Sequence, residues 1–110
     1  MKFHRTPDKW VILKIRDKMG KTFYKVFGSW YGGYLSGDSW RLSSDIIRVK
    51  DMEGHYLVYN SSGSIYKCNK NEDGVSGYSA GILETIKNRS KKIGLRIKVV
   101  DIDKLPMLKR

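Results

Sequence analysis

Several residue types that would narrow the chemistry of this chain are scarce. Cysteine occurs once, at Cys68, which excludes an internal disulfide and points to a reducing compartment. A buried free thiol is the expected state of that residue. Histidine occurs twice, at His4 and His55, so only two side chains have an ordinary pKa near neutrality for acid–base work. Proline also occurs twice, which disfavours long rigid linkers. No apolar run approaches the roughly 18 residues of a membrane span. The opening residues, Met1-Lys-Phe-His-Arg-Thr-Pro-Asp-Lys9, lack the apolar core of a secretion signal. These absences predict a cytoplasmic chain with no membrane partner.

Acidic residues are scarce as well. Lys and Arg number 22 against 11 Asp and Glu, a formal net charge of +11 in 110 residues. The excess lies at the two ends. Residues 1–25 carry eight basic and two acidic side chains, and residues 87–110 carry nine and two. The stretch 26–86 carries five basic and seven acidic side chains. Self-repulsion of this size opposes compaction, and a bound anion relieves it. Nucleic acid is the commonest such anion.

Length and an apolar content of 40% predict one domain with a real core. Trp10-Val-Ile-Leu-Lys-Ile-Arg16 reads as a first strand with Val11, Leu13 and Ile15 on one face and Lys14 and Arg16 on the other. Lys18-Met-Gly-Lys21 reads as a turn, and Thr22–Phe27 as the returning strand, with apolar groups on both faces. Gly28–Ser44 holds four glycines, four aromatics and five serines and fits no regular period. It reads as a structured loop with a short strand near Trp40–Leu42. Asp45–Lys50, His55–Tyr59 and Ser64–Cys68 read as strands joined by tight turns at 51–54 and 60–63.

One helix is expected, from about Ser79 to Lys92, capped by Ser76 or Ser79 and closed by Gly94. Ile82, Leu83, Ile86 and Ile93 form its core stripe. Leu95–Val100 reads as a last strand, with Leu95, Ile97 and Val99 inward and Arg96 and Lys98 outward. The pattern predicts an α+β fold: a single two-layer domain over 1–110, with an antiparallel sheet of about five strands and one helix from the C-terminal half on one face. Residues 1–9 and 103–110 are expected to fray.

Two constellations carry binding chemistry. If the first and last strands are neighbours, Lys14, Arg16, Lys87, Lys91, Arg96 and Lys98 form one cationic field suited to phosphates. The aromatic-glycine segment offers Tyr31, Tyr34 and Trp40 as stacking groups for unpaired bases, with Arg41 assisting. The competing readings are a merely solvated surface for the charges and core anchoring for the tryptophans. Asn60-Ser-Ser-Gly-Ser64 is a further small-polar turn able to present N–H groups to an anion, although an ordinary hairpin turn explains it.

Catalytic patterns are missing. No Gly-Lys-Ser/Thr phosphate loop, nucleophile elbow or carboxylate spacing for a metal or a glycoside occurs. The expectation is therefore no enzyme activity, no catalytic residue, no metal and no cofactor.

The segment Trp30-Tyr-Gly-Gly-Tyr-Leu-Ser-Gly-Asp-Ser-Trp-Arg-Leu-Ser-Ser44, followed by Asn60-Ser-Ser-Gly-Ser-Ile-Tyr66 and Gly74-Val-Ser-Gly-Tyr78, resembles small early proteins of T4-like tailed bacteriophages. The likeness covers residues 10–100. It implies a single-domain binder that acts on host machinery or host defence in the bacterial cytoplasm, and it implies no particular site residues. Together these readings predict a basic binding protein for RNA or single-stranded DNA. The alternative is an inhibitor that docks on an acidic surface, or on the nucleic-acid groove, of a host or defence enzyme.

Overall fold

Strand Lys9–Arg16 (β2) carries apolar side chains on both faces, and this decides the architecture. Val11, Leu13 and Ile15 point one way; Trp10 and Ile12 point the other, and all five are buried. A strand of this kind needs cover on two sides. The computed structural model, which describes residues 4–32 and 37–109, supplies both covers.

Strand β1 is His4–Arg5, and β2 is followed by β3 (Thr22–Trp30), β4 (Ser39–Leu42), β5 (Ile46–Asp51), β6 (His55–Asn60) and β7 (Ile65–Asn69). A 3-10 turn at Lys70–Glu72 leads to the helix α1 (Gly77–Lys92), and β8 (Arg96–Val100) comes next. A second 3-10 turn, Ile102–Lys104, precedes β9 (Leu108–Lys109). Two sheets result, one of four strands in the order β4-β3-β2-β8 and one of five in the order β1-β7-β6-β5-β9. The first is antiparallel throughout. The second is mixed, because β1 joins β7 and β9 joins β5 in parallel.

The fold is thus α+β, but the expected single sheet of about five strands in two layers is corrected to two sheets and a helix in three. Trp10, Ile12 and Val26 meet Ile46, Val49, Tyr56, Val58, Tyr66 and Cys68 in the core between the sheets. On the other face of the four-stranded sheet, Val11, Leu13, Ile15 and Phe27 pack under Leu83, Ile82 and Ile86 of α1. Trp10 fixes the centre of the first core. Its indole N–H donates to the Asn69 carbonyl at 2.8 Å, and its ring meets Tyr56 edge-on at 6.2 Å.

Both chain ends described are pinned to the five-stranded sheet. Pro7 is fully buried, and a Cβ added at Gly28 would lie 3.0 Å from the Pro7 Cβ. Ile102 and Leu105 sit in the inter-sheet core. The segment after Pro106, expected to fray, carries Leu108 opposite Val49 in a strand pair.

The helix begins two residues earlier than expected. Ser76 is the cap: its hydroxyl accepts from the Ser79 N–H at 3.1 Å, and the Ser79 hydroxyl accepts from the Ser76 N–H at 2.8 Å. This is a reciprocal capping box with serine in the place usual for Glu or Gln. Gly94 takes φ +84° just past the helix end, as its position suggested. Ile93 departs from the expected stripe. It lies beyond the last helical turn and is exposed. Val99, expected inward, lies on an edge strand that the helix covers incompletely and is also exposed.

Candidate nucleic-acid interface

β2 is the neighbour of both β3 and β8, so the first and last long strands of the chain lie side by side. The register sets Lys14 opposite Lys98 and Arg16 opposite Arg96. Residues directly opposite in an antiparallel pair project from the same face. Four cations therefore form a two-by-two block, drawn from segments some eighty residues apart in the chain.

Two further elements close on this block. The β2–β3 turn is held by Asp17, whose carboxylate accepts from the N–H groups of Met19 and Lys21, each at 2.9 Å. Gly20 takes φ +84° there. The Lys18 side chain lies against Gly94, where a Cβ would collide with its methylene stem. The turn is thereby docked on the end of α1. That end brings Lys87 and Lys91 one helical turn apart on one face.

These elements enclose an open groove of about 960 Å³, lined by Arg16, Lys18, Lys87, Lys91, Arg96 and Lys98 together with Asp17, Gly20, Gly94, Leu95 and Ile97. Five of the six cations expected on phosphates line this one groove. Lys14, half-buried, stands one register step inward, beside Tyr24 on β3. Sequence reasoning missed Lys18, and its signal was the turn itself, which places a lysine at the tip beside a left-handed glycine.

The groove cations are not neutralised from within. Ion pairs join Lys9 to Glu72 at 3.7 Å, Lys25 to Asp45 at 3.2 Å and Lys70 to Asp51 at 2.6 Å. Among the described residues none engages a groove cation. Asp17 is the lone acid in the lining, and its carboxylate is occupied by the turn. Polycations arranged in this way attract a polyanion and release its counterions.

The aromatic segment lies elsewhere. β2 and β3 pair from Arg16↔Thr22 at the groove to Lys9↔Ser29 at the far end. Seven residues of strand at about 3.3 Å each separate them by about 23 Å. Tyr31, 55% exposed, follows β3 at that far end, with its N–H bonded to the Asp8 carboxylate at 2.8 Å. Trp40 is 40% exposed and leans on Phe27, with centroids 5.8 Å apart. Tyr34 lies outside the described residues.

The expectation that Arg41 assists Trp40 fails on strand alternation. Trp40 pairs with Ser29 and Arg41 with Gly28, so their side chains leave opposite faces of the sheet. Trp40 shares the helix-covered face with Phe27. Arg41 shares the inter-sheet face with Gly28, where it lines a smaller pocket of about 240 Å³ with Arg5, Tyr66 and a group of serines.

Among the described residues no cluster of His, Cys, Asp or Glu could hold a metal ion. Burial, and secondarily Asp73, pushes the Cys68 thiol far above its usual range, which makes it a poor nucleophile. No helix among the described residues is long and apolar enough to cross a membrane. A scan against protein-family models, a search of curated proteins and a search of solved structures each returned no match to this chain.

Proposed function

We propose that the protein is a non-enzymatic binder of RNA or single-stranded nucleic acid, and that the groove between the β2–β3 turn, the end of α1 and β8 receives the phosphate backbone. The observation that carries this reading is convergence. Arg16, Lys18, Lys87, Lys91, Arg96 and Lys98, from β2, the turn after it, α1 and β8, line one groove, and among the described residues no ion pair engages them. The groove lining holds no aromatic ring, so phosphates are bound there and bases are not stacked there. Unpaired bases meet Tyr31 and Trp40 at the other end of the β2–β3 ribbon, and a flexible single strand spans that distance more readily than a short duplex. The setting proposed with this function is the cytoplasm of a phage-infected bacterium, where the protein serves host takeover or counters a defence.

The test is a titration against labelled single-stranded RNA and DNA over a series of salt concentrations. Six neutralised phosphates would give a log–log salt slope of about −4, at roughly −0.7 per phosphate. The double variant Lys87→Gln/Lys91→Gln is expected to reduce the slope by about 1.4. A flat salt dependence, or a variant indistinguishable from the parent, overturns the reading.

One observation favours a second reading, an inhibitor that docks on an acidic protein surface. Met19 and Ile93, 90% and 66% exposed, stand next to groove residues in sequence. Apolar side chains beside a charged groove suit a protein contact, where they become buried anchors. A Met19→Ser/Ile93→Ser variant separates the two. Unchanged nucleic-acid affinity fits the first reading, and lost capture of an acidic partner with retained charge fits the second.

A further inference from the structure

The second pocket sits at the mouth between the two sheets. Arg5 on β1 stands opposite Tyr66 on β7, and neighbouring strands carry such partners on a common face. Tyr66 has its ring in the inter-sheet core, so Arg5 is aimed at the same inner space. Arg41 approaches from the other sheet, since its partner Gly28 lies on the inner face of β3. Two guanidinium groups from two different sheets therefore flank one pocket of about 240 Å³. Each is close enough to Tyr66 for its charge to favour ionisation of the phenol, against the stronger opposing effect of burial.

The remaining lining is rich in hydroxyls: Ser43, Ser44, Ser62 and Ser64, with Gly63. These serines are already organised. The Ser44 hydroxyl donates to the Ser62 hydroxyl at 2.8 Å and accepts from the Ser62 N–H at 3.0 Å. The Ser62 hydroxyl donates to Ser64 at 3.2 Å. The β4–β5 connection and the β6–β7 turn are thus tied together across the pocket. Tyr66 is only 1% exposed. Tyr66 lines the pocket from the core side, and a phenol donor beside two guanidiniums suits an anionic acceptor.

We propose that this pocket is a binding site for a phosphomonoester dianion, distinct from the long groove and independent of it. Arg5 and Arg41 would hold the phosphate oxygens, as guanidinium groups do in paired, charge-assisted bonds. The Tyr66 hydroxyl donates to a third oxygen from the core side, and the serine ladder shapes the rim. A free nucleotide and the phosphorylated end of a nucleic-acid strand both present such a group. The pocket volume suits the phosphate and leaves the rest of either molecule outside.

Heteronuclear NMR titration of the full chain with inorganic phosphate, at constant ionic strength against chloride, tests the site. Saturable shifts at residues 41, 44, 62–64 and 66 are expected. Arg41→Gln is expected to weaken binding by about tenfold, the worth of one charge-assisted bond pair, and Arg41→Lys by less. Tyr66→Phe keeps the ring in the core and is expected to weaken binding several-fold without altering the melt. Lys87→Gln/Lys91→Gln, which cripples the groove, is expected to leave phosphate binding unchanged.

Two further titrations identify the source. Nucleoside 5′-monophosphate against nucleoside tests the free ligand, and a 5′-phosphorylated against a 5′-hydroxyl oligonucleotide tests the strand end. Preference for the phosphorylated member of either pair supports the proposal. Shifts that chloride reproduces, or that survive Arg41→Gln, overturn it.

Discussion

The block of like charges on β2 and β8 makes stability and binding respond oppositely to one substitution. Arg96 faces Arg16, and Lys98 faces Lys14. Opposed like charges on paired strands repel, and exchanging such a pair for an attractive one is worth roughly 0.2–1 kcal/mol. Arg16 and Arg96 are exposed, so solvent screening keeps the figure toward about 0.5 kcal/mol. Arg96→Glu therefore stabilises the free protein. For a domain of this size the melting temperature rises by about 2–3 °C.

The gain is electrostatic and should fade near 1 M salt, where the screening length falls to about 3 Å. If the groove receives phosphates as proposed, the same substitution removes one phosphate contact and adds a repelling carboxylate. Nucleic-acid affinity should fall, and the salt slope should shrink by about 0.7 or more. Thermal melts at low and high salt, with the salt-series titration, read both effects. A lower melting temperature at low salt, or a rise that persists at high salt, would refute the claim that the two arginines repel across the ladder. A stabilised protein with undiminished affinity would refute the placement of phosphate in the groove.

Three other outcomes follow from the cores. Trp10→Phe deletes the N–H that bonds the Asn69 carbonyl and leaves that acceptor without its indole partner, so urea denaturation should show a loss of about 1–3 kcal/mol; a loss below the error of the fit would contradict the packing described. Cys68, its thiol held protonated by burial, should resist maleimide at mildly alkaline pH until urea unfolds the chain, and rapid native labelling would disprove its burial. Asp73 is raised above its ordinary value of 3.8 by burial, then by Asp101 and Asp103, with Lys9 opposing. Its ionisation is disfavoured in the folded state, so its contribution to stability is present below the ordinary value and is lost as pH rises through the raised one. Asp73→Asn should flatten the decline across the weakly acidic range and be more stable than the parent at neutrality; parallel pH curves for the two proteins would refute this.

Strand positions, the left-handed glycines at 20, 54, 63 and 94 and the helix were legible because each is encoded locally. The second sheet was not. Trp10-Val-Ile-Leu13 alternates two apolar sets, and a continuous apolar run does not say what covers its second face. Parallel edge strands such as Leu108–Lys109 are too short to signal themselves, and they form because Ile102 and Leu105 anchor the tail in the core. The groove was partly legible. Its charges stand out in the sequence, but their meeting depends on the pairing of β2 with β8, a long-range register that turn chemistry does not specify. Trp40 and Arg41 misled for a simpler reason. Adjacent residues read as partners along the chain, while a strand sends them to opposite sides. Arg5 gave no sign at all, since its site exists only where two sheets face each other.

Strand β8 forms one margin of the four-stranded sheet, and its outer backbone groups pair with no strand among the described residues. Arg96 and Lys98 stand along that margin, and charges so placed keep a second copy from adding itself to the sheet. A polyanion seated in the groove, as proposed, would neutralise the same two side chains. The loaded protein would then lose its protection against lateral growth, so solubility would pass through a minimum near charge balance and recover with excess polyanion. In this chain cargo, more than concentration, would govern self-association.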